Sequence, residues 1–250
     1  MMHSFLLIGQ SNMAGRGEME AAPPITNEQL YVMRNARWQK MYRPVNPDRP
    51  FSGVNLAERF AELYCNAYPG EDVGLIPCAD GGTSLAQWAP GSLLYDHAVM
   101  QAKFAMRTSR LCGVLWHQGE SDCGEEASRV YAEKLTEMLD ALRRDLGMPE
   151  LPVMLGALGD YLTEYDEGTR VWYPKVNAAL RQVAESMPHT AYVPAEGLTA
   201  KADHLHFNTA SLMIFGERYY EAYSRIAMSG TDTATGTLED GVTMRGIELL

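Results

Sequence analysis

The chain has 250 residues, 46% of them hydrophobic, so it can bury the core of one large α/β domain or of two small ones. Its formal net charge of −11 offers no basic face for phosphates, which excludes nucleic acids and anionic membrane surfaces as expected partners. No apolar run approaches the roughly 20 residues that span a bilayer, and a small-molecule or oligosaccharide substrate fits this composition better.

Five short apolar runs, each bounded by Gly, Pro or polar residues, predict buried strands over 4–8, 73–78, 111–117, 152–157 and 190–193. Apolar residues at helical spacing predict helices over 55–68, 93–108, 125–146, 173–187 and 210–227. Strands that alternate with helices indicate a parallel sheet with right-handed crossovers. The prediction is a three-layer α/β/α sandwich with a five-stranded, mainly parallel sheet, in a single domain over residues 1–228.

Two segments lie outside this alternation. Residues 17–50 form a long polar insertion after the first strand, in which residues 30–41 could form a small hairpin, and such loops often border a site. Residues 229–250, rich in Thr, Gly and Asp, form a predicted C-terminal extension, either mobile or docked as a strand pair, which could contact a second subunit.

The N-terminus and the cysteines bear on the compartment. The first eight residues have no basic region and no cleavage site, so they predict a strand and not a signal peptide. The four cysteines show no CxxC spacing. A reduced, cytoplasmic protein is expected, with a secreted protein that has lost its leader as the alternative.

Reactive side chains follow the predicted strands, at the edge where open parallel sheets bind ligands. After the first strand, Gly9 permits a tight turn that presents Ser11 as a nucleophile, although a lone serine more often caps a helical turn. After the second strand, Gly81 and Gly82 let a backbone N–H approach a developing negative charge, although a plain turn has the same pattern.

Two further clusters complete a set of groups for acyl transfer. Gln118 could donate its amide N–H to an oxyanion, and Glu120 could accept from an imidazole or a substrate hydroxyl, or both could cross-link loops. Asp203 lies three residues before His206, so it could hold the Nδ1–H of that imidazole and direct Nε2 at Ser11. This chemistry needs no metal or organic cofactor.

Two alternatives remain at this stage. The first is a metal-dependent deacetylase that a chelator inactivates, since five side chains could gather around zinc: His117, Glu120, Asp203, His204 and His206. It leaves the glycine-containing loops unexplained. The second is a carbohydrate-binding protein without catalysis, for which aligned Ser, His and acid groups have no use.

Four stretches in order, GQSNMAGRG from Gly9, DGGTSLAQW from Asp80, WHQGESD from Trp116 and DHLHF from Asp203, resemble the SGNH hydrolase superfamily. More narrowly, they resemble the sialate O-acetylesterase and acetylxylan esterase branch, the sixth carbohydrate esterase family. The resemblance implies a flavodoxin-like sheet and a serine esterase that removes O-acetyl groups from sialic acid or xylan-type sugars. It also implies these site residues: the nucleophile Ser11, the base His206, and an oxyanion hole of the Ser11 and Gly82 N–H groups with the Gln118 amide.

The sequence departs from the wider superfamily at Gln118, where an Asn is usual, and in a first block that usually reads Gly-Asp-Ser. Asp203 has the usual position of the third triad member, while Glu120 could reach the same imidazole. Arg16 could bind a substrate carboxylate or brace the nucleophile loop, and Trp88 could stack on a sugar ring.

Overall fold

Seven strands form one sheet in the computed structural model, which describes residues 2–231. They are β1 (His3–Gly9), β2 (Leu30–Arg34), β3 (Arg37–Lys40), β4 (Val73–Pro77), β5 (Arg110–His117), β6 (Val153–Gly156) and β7 (Thr190–Val193). Their spatial order is β3-β2-β4-β1-β5-β6-β7, and every neighbouring pair is parallel except β2 and β3. The predicted α/β/α sandwich with a mainly parallel sheet is confirmed.

The predicted number of five strands was too low, because the hairpin of the 17–50 insertion joins the main sheet. Residues Asn35 and Ala36 take positive φ angles of 48° and 59° at the hairpin turn. Strand β2 then pairs in parallel with β4, with Val32 opposite Leu75 and both buried. The apolar side of this hairpin covers core that the sheet would otherwise expose, so it adds two strands at one edge.

The described residues form six α-helices: α1 (Ser11–Ala14), α2 (Leu56–Ala67), α3 (Leu93–Ala105), α4 (Glu125–Leu146), α5 (Tyr173–Ser186) and α6 (Thr209–Thr231). Helix α2 packs against α6, while α4 packs between α3 and α5, which gives the two helical layers. Helix α6 extends to Thr231, so the first residues of the predicted extension belong to this helix. The remainder of 229–250 lies outside the described residues.

Local signals explain where α4 begins and ends. Glu125 and Glu126 occupy its first turn and Arg143 and Arg144 its last, so their charges complement the helix dipole. Gly147 ends the helix in the left-handed conformation, with φ 68°. Neither this helix nor any other among residues 2–231 is both long and apolar enough to cross a membrane.

The central strand β1 positions the site. Its residues from Phe5 to Ile8 are buried because helices cover both faces of the sheet. Strand β5 runs parallel beside it in a register that places Gly9 opposite His117, and the Asp80 N–H donates to the Gly9 carbonyl at 3.0 Å. The loops after β1, β4 and β5 therefore meet at the carboxyl edge of the sheet.

Candidate active site

The loop that carries Ser11 is set by Gly9. Gly9 has φ +131°, and a Cβ atom there would collide with the His117 carbonyl, so only glycine fits between the two strands. The short helix α1 begins immediately afterwards and presents Ser11 at the end of the central strand. Ser11 is 5% exposed and lines a cavity of about 330 Å³.

A chain of hydrogen bonds joins Ser11 to His206 and Asp203. The Nε2 atom of His206 lies 2.9 Å from Ser11 Oγ, and its Nδ1 atom lies 2.8 Å from Asp203 Oδ2. The other oxygen, Asp203 Oδ1, accepts the N–H groups of Leu205 and His206 at 3.0 and 2.9 Å. Partial burial raises the pKa of the Asp203 carboxyl, but the hydrogen bonds from the His206 ring and these N–H groups outweigh it and leave a net pKa below the usual value.

Glu120 does not contact His206. Its Oε1 atom accepts from Asn12 Nδ2 at 2.5 Å and lies 3.2 Å from His117 Nε2, with all three side chains buried. Burial raises the pKa of Glu120, but the neighbouring His117 and the Asn12 amide lower it further, to a net value below the usual one. Of the two carboxylates that the sequence offered to His206, the fold brings Asp203 to it.

Ser11 and Gly82 line the same cavity. A Cβ atom on Gly81 would lie 3.4 Å from Ser11 Cβ, so the loop after β4 packs against the nucleophile loop. The Gly81 N–H donates to Asp48 Oδ2 at 2.8 Å. Gly82, which has φ +80°, lines the cavity. Within residues 2–231, the N–H groups of Ser11 and Gly82 donate to no protein acceptor and could both bind an oxyanion.

Gln118 does not face the cavity, so the predicted oxyanion role of its amide is wrong. It is 0% exposed, and its Nε2 atom already lies within 3.1 Å of Gln10 Oε1, Thr83 O and Asp122 Oδ2. Its Oε1 atom accepts the Tyr131 hydroxyl at 2.9 Å. Because these partners use both amide hydrogens, none remains for an oxyanion. The Gln118 amide instead holds the side chain of Gln10 in place.

Arg16 and Trp88 take structural places. The Arg16 guanidinium binds both Asp48 oxygens, at 2.9 and 2.7 Å, and the Gly15 carbonyl at 2.8 Å, so it braces the nucleophile loop. Trp88 is 0% exposed and donates to Thr83 Oγ1 at 3.1 Å. A fully buried indole has no face for a sugar, and the predicted stacking role of Trp88 is wrong.

The Arg16 and Asp48 pair predicts a loss of stability in acid. Burial raises the pKa of Asp48, but Arg16 and Ser52 outweigh it and hold the folded-state pKa below the ordinary value of 3.8. The stabilisation is therefore complete above pH 3.8 and is lost as the pH falls through the lower folded-state pKa. We expect Asp48→Asn to lower the free energy of unfolding at pH 7 by about 3 kcal/mol, since it breaks a buried pair.

Urea unfolding at pH 7 and pH 3 measures this effect. The variant is expected to lose less stability on acidification than the wild type, and Asp140→Asn, on the exposed side of α4, serves as the control. Equal acid sensitivity of the wild type and Asp48→Asn would contradict the assignment.

Four residues that line the cavity lie outside the four motifs of the sequence: Arg49, Phe51, Tyr165 and Arg170. The Phe51 ring is 70% exposed. Arg49 pairs with Asp80 at 2.7 Å, but Arg170 has no carboxylate within 4.0 Å among the described residues. Phe51 directly follows the long insertion, which is a usable signal, whereas nothing near Arg170 in the sequence marks it.

The five side chains considered as zinc ligands do not converge. Among the described residues, no three His, Cys, Asp or Glu side chains form a group that could hold a metal ion. His204, for example, turns away to pair with Glu164 at 3.0 Å. The four cysteines are all free thiols.

The mainly parallel sheet, its two helical layers and the loops gathered at its carboxyl edge form the three-layer arrangement that the resemblance to SGNH hydrolases implied. The family model described as "carbohydrate esterase, sialic acid-specific acetylesterase" matches residues 1–225. The chain belongs to this family, and it is a carbohydrate esterase.

Individual proteins agree with this assignment. The probable carbohydrate esterase At4g34215 of Arabidopsis thaliana is 30% identical over 248 residues, covering 88% of this chain and 89% of the relative. A crystal structure of that Arabidopsis protein has a TM-score of 0.81 at 28% identity, covering 89% of this chain and 98% of its own. NanS, with a TM-score of 0.72 at 17% identity and coverage of 91% and 98%, shares the fold.

Proposed function

We propose that the chain is a serine esterase that removes O-acetyl groups from carbohydrates through an acetyl-serine intermediate. The observation that carries this proposal is the hydrogen-bonded series from Ser11 through His206 to Asp203. It lies beside two free N–H groups at the carboxyl edge of the sheet, which supplies the nucleophile, base, orienting acid and oxyanion donors that acyl transfer needs.

The reaction has two steps in this arrangement. His206 Nε2 takes the hydroxyl proton as Ser11 Oγ bonds to the acetyl carbon, and the carbonyl oxygen gains negative charge beside the Ser11 and Gly82 N–H groups. The bond from the acetyl carbon to the sugar oxygen then breaks, and His206 returns the proton to that oxygen. A water molecule, deprotonated by His206, then attacks the acetyl-serine. The bond from the acetyl carbon to Ser11 Oγ breaks, acetate leaves, and His206 returns the proton to Ser11 Oγ. Asp203 stabilises the imidazolium in both steps.

We further propose that the sugar is acidic, as an acetylated sialic acid is, in preference to a neutral xylan fragment. The support is the Arg170 guanidinium, which lines the cavity without a carboxylate partner in the described part of the chain, in a protein of net charge −11. The exposed Phe51 ring offers an apolar face on which a sugar ring could stack. A substrate carboxylate would form a charge-assisted hydrogen bond with Arg170.

Removing the positive charge of Arg170 is expected to slow the hydrolysis of acidic substrates alone. We expect Arg170→Gln to lower kcat/KM for an O-acetylated sialic acid by about 10- to 100-fold, since a hydrogen bond to a charged group contributes about 1.5–3 kcal/mol. Hydrolysis of 4-nitrophenyl acetate, which has no carboxylate, is expected to stay within about threefold, because the change spares the acyl-transfer groups. Arg144→Gln, on the exposed end of α4, is the matched control. An equal loss on both substrates would contradict the acidic-sugar proposal.

Acetate release tests the function itself. Purified protein is incubated with O-acetylated sialic acid, acetylated xylo-oligosaccharides and 4-nitrophenyl acetate, each with and without EDTA. Acetate release that survives EDTA supports the serine esterase. Activity abolished by EDTA would favour a metal-dependent deacetylase, and binding of acetylated sugar without acetate release would favour a carbohydrate-binding protein.

A further inference from the structure

The side chain of Asn12 contacts the backbone on both sides of His206. Its Nδ2 atom donates to the Leu205 carbonyl at 3.1 Å, and its Oδ1 atom accepts the Phe207 N–H at 3.1 Å. Asn12 directly follows Ser11 in the chain and is 1% exposed. One rigidly buried amide therefore links the residue next to the nucleophile with both neighbours of the imidazole-bearing residue.

Asn12 is itself held by Glu120. The same Nδ2 atom donates to Glu120 Oε1 at 2.5 Å, and His117 Nε2 lies 3.2 Å from that oxygen. Hydrogen bonds to an ionised and buried acceptor are among the stronger ones in proteins. Glu120 follows β5, so this contact ties together the loops after β1 and β5 and the loop before α6.

We call residues 201–207 the His206 loop. Most of its other hydrogen bonds are made within the loop. Asp203 binds the loop's own N–H groups, and the Lys201 N–H donates to the His206 carbonyl at 2.8 Å. Toward the nucleophile loop, the loop makes the Ser11 contact, a bond from Lys201 Nζ to the Arg16 carbonyl, and the two Asn12 bonds. Of these, the Asn12 bonds are the ones that flank His206 directly.

We propose that Asn12 is a positioning residue that sets the distance between His206 Nε2 and Ser11 Oγ, with the buried Glu120 carboxylate fixing the orientation of its amide. This inference rests on the proposed serine esterase function. Displacing a catalytic group by about 1 Å costs about 10²-fold in rate. A change at Asn12 thus acts on the chemical step and leaves sugar binding in the cavity intact.

The first variant is Asn12→Ala. We expect kcat per active site, with sites titrated by a fluorophosphonate, to fall by about 10²-fold while KM stays within about threefold. Asn177→Ala is the matched control, because the Asn177 amide, on α5, also makes two hydrogen bonds to the backbone of a loop: it accepts the Leu158 N–H at 2.8 Å and donates to the Leu158 carbonyl at 2.9 Å. It is expected to lower Tm and to leave kcat per titrated site within about threefold.

A second pair of variants removes the ambiguity of a poorly folded protein. Asn12→Asp puts a carboxylate against Glu120 and is expected to lower kcat at least as much as Asn12→Ala. Adding Glu120→Gln reverses the polarity of that hydrogen bond, since the new amide can donate to the new carboxylate. We expect the double variant to regain about tenfold or more in kcat over Asn12→Asp, with incomplete recovery because the Leu205 carbonyl still meets an oxygen.

The outcomes separate the two proposals. A fall in Tm with kcat per titrated site unchanged in Asn12→Ala, or no gain from the second substitution, would overturn the positioning role and leave the esterase intact. Different results would contradict the esterase proposal itself: the wild type fails to release acetate, or Ser11→Ala releases acetate at the wild-type rate.

Discussion

Ser11→Ala is expected to lower kcat for acetate release by about 10⁴- to 10⁶-fold, the range seen when one member of the catalytic triad is removed from a serine hydrolase. The physical reason is the 2.9 Å contact between Ser11 Oγ and His206 Nε2, since among the described residues no other hydroxyl is placed to give its proton to this imidazole. Loss of the hydroxyl leaves the N–H groups of Ser11 and Gly82 in place, so the cavity still binds substrate. We therefore expect KM to change little.

The measurement combines acetate release with labelling. A fluorophosphonate is expected to modify the wild type and not Ser11→Ala. Ser84→Ala is the matched control, because that hydroxyl lies in the loop after Gly82 and, among residues 2–231, donates a hydrogen bond to Gln87 and not to His206. Variant activity that persists and then disappears with EDTA would replace the serine mechanism with metal-dependent chemistry.

His206→Ala is expected to lower kcat by a comparable factor, because the imidazole carries the proton in both steps. The double variant Ser11→Ala with His206→Ala is expected to be no slower than the single variants. The two residues act as one unit, so either substitution alone already removes their joint contribution to kcat. Multiplying losses in the double variant would show that the two residues act separately.

His204 supplies a matched control for this prediction. It lies two residues before His206, but its ring pairs with Glu164 at 3.0 Å and not with Ser11. Its φ of 52° lies in the left-handed region, which asparagine tolerates better than most residues. We expect His204→Asn to keep kcat within about threefold of the wild type, and a loss as large as that of His206→Ala would mean that the base is misassigned.

The buried part of the fold could be predicted because its signals are local. A buried parallel strand must be apolar over a few consecutive residues, and a helix needs apolar residues three to four apart, so short windows of sequence locate both. Five strands and five helices were found in this way. The hairpin strands β2 and β3 were noticed as a local pattern, but their membership of the main sheet depends on the pairing of Val32 with Leu75, across more than forty residues.

The site, like the fold, has features that local sequence predicts and features that depend on long-range contacts. The spacing of Asp203 and His206 places a carboxylate and an imidazole within one turn of chain, so their contact follows from covalent geometry. The meeting of these residues with Ser11 follows from the rule that ligands gather at the carboxyl edge of a parallel sheet. Both expectations needed no knowledge of side-chain packing.

Only the tertiary structure decided where the remaining polar and aromatic side chains point. Gln118 turns inward because its amide meets Gln10, 108 residues away in the chain, and Trp88 is covered by Trp116. Arg170 and Phe51 reach one cavity from distant loops. The direction of a loop side chain depends on partners that are remote in sequence and close in space. The sequence by itself therefore determined the sandwich and the series from Ser11 to Asp203, while long-range packing decided the partners of the Gln118 amide, the cavity wall and the Asn12 contacts.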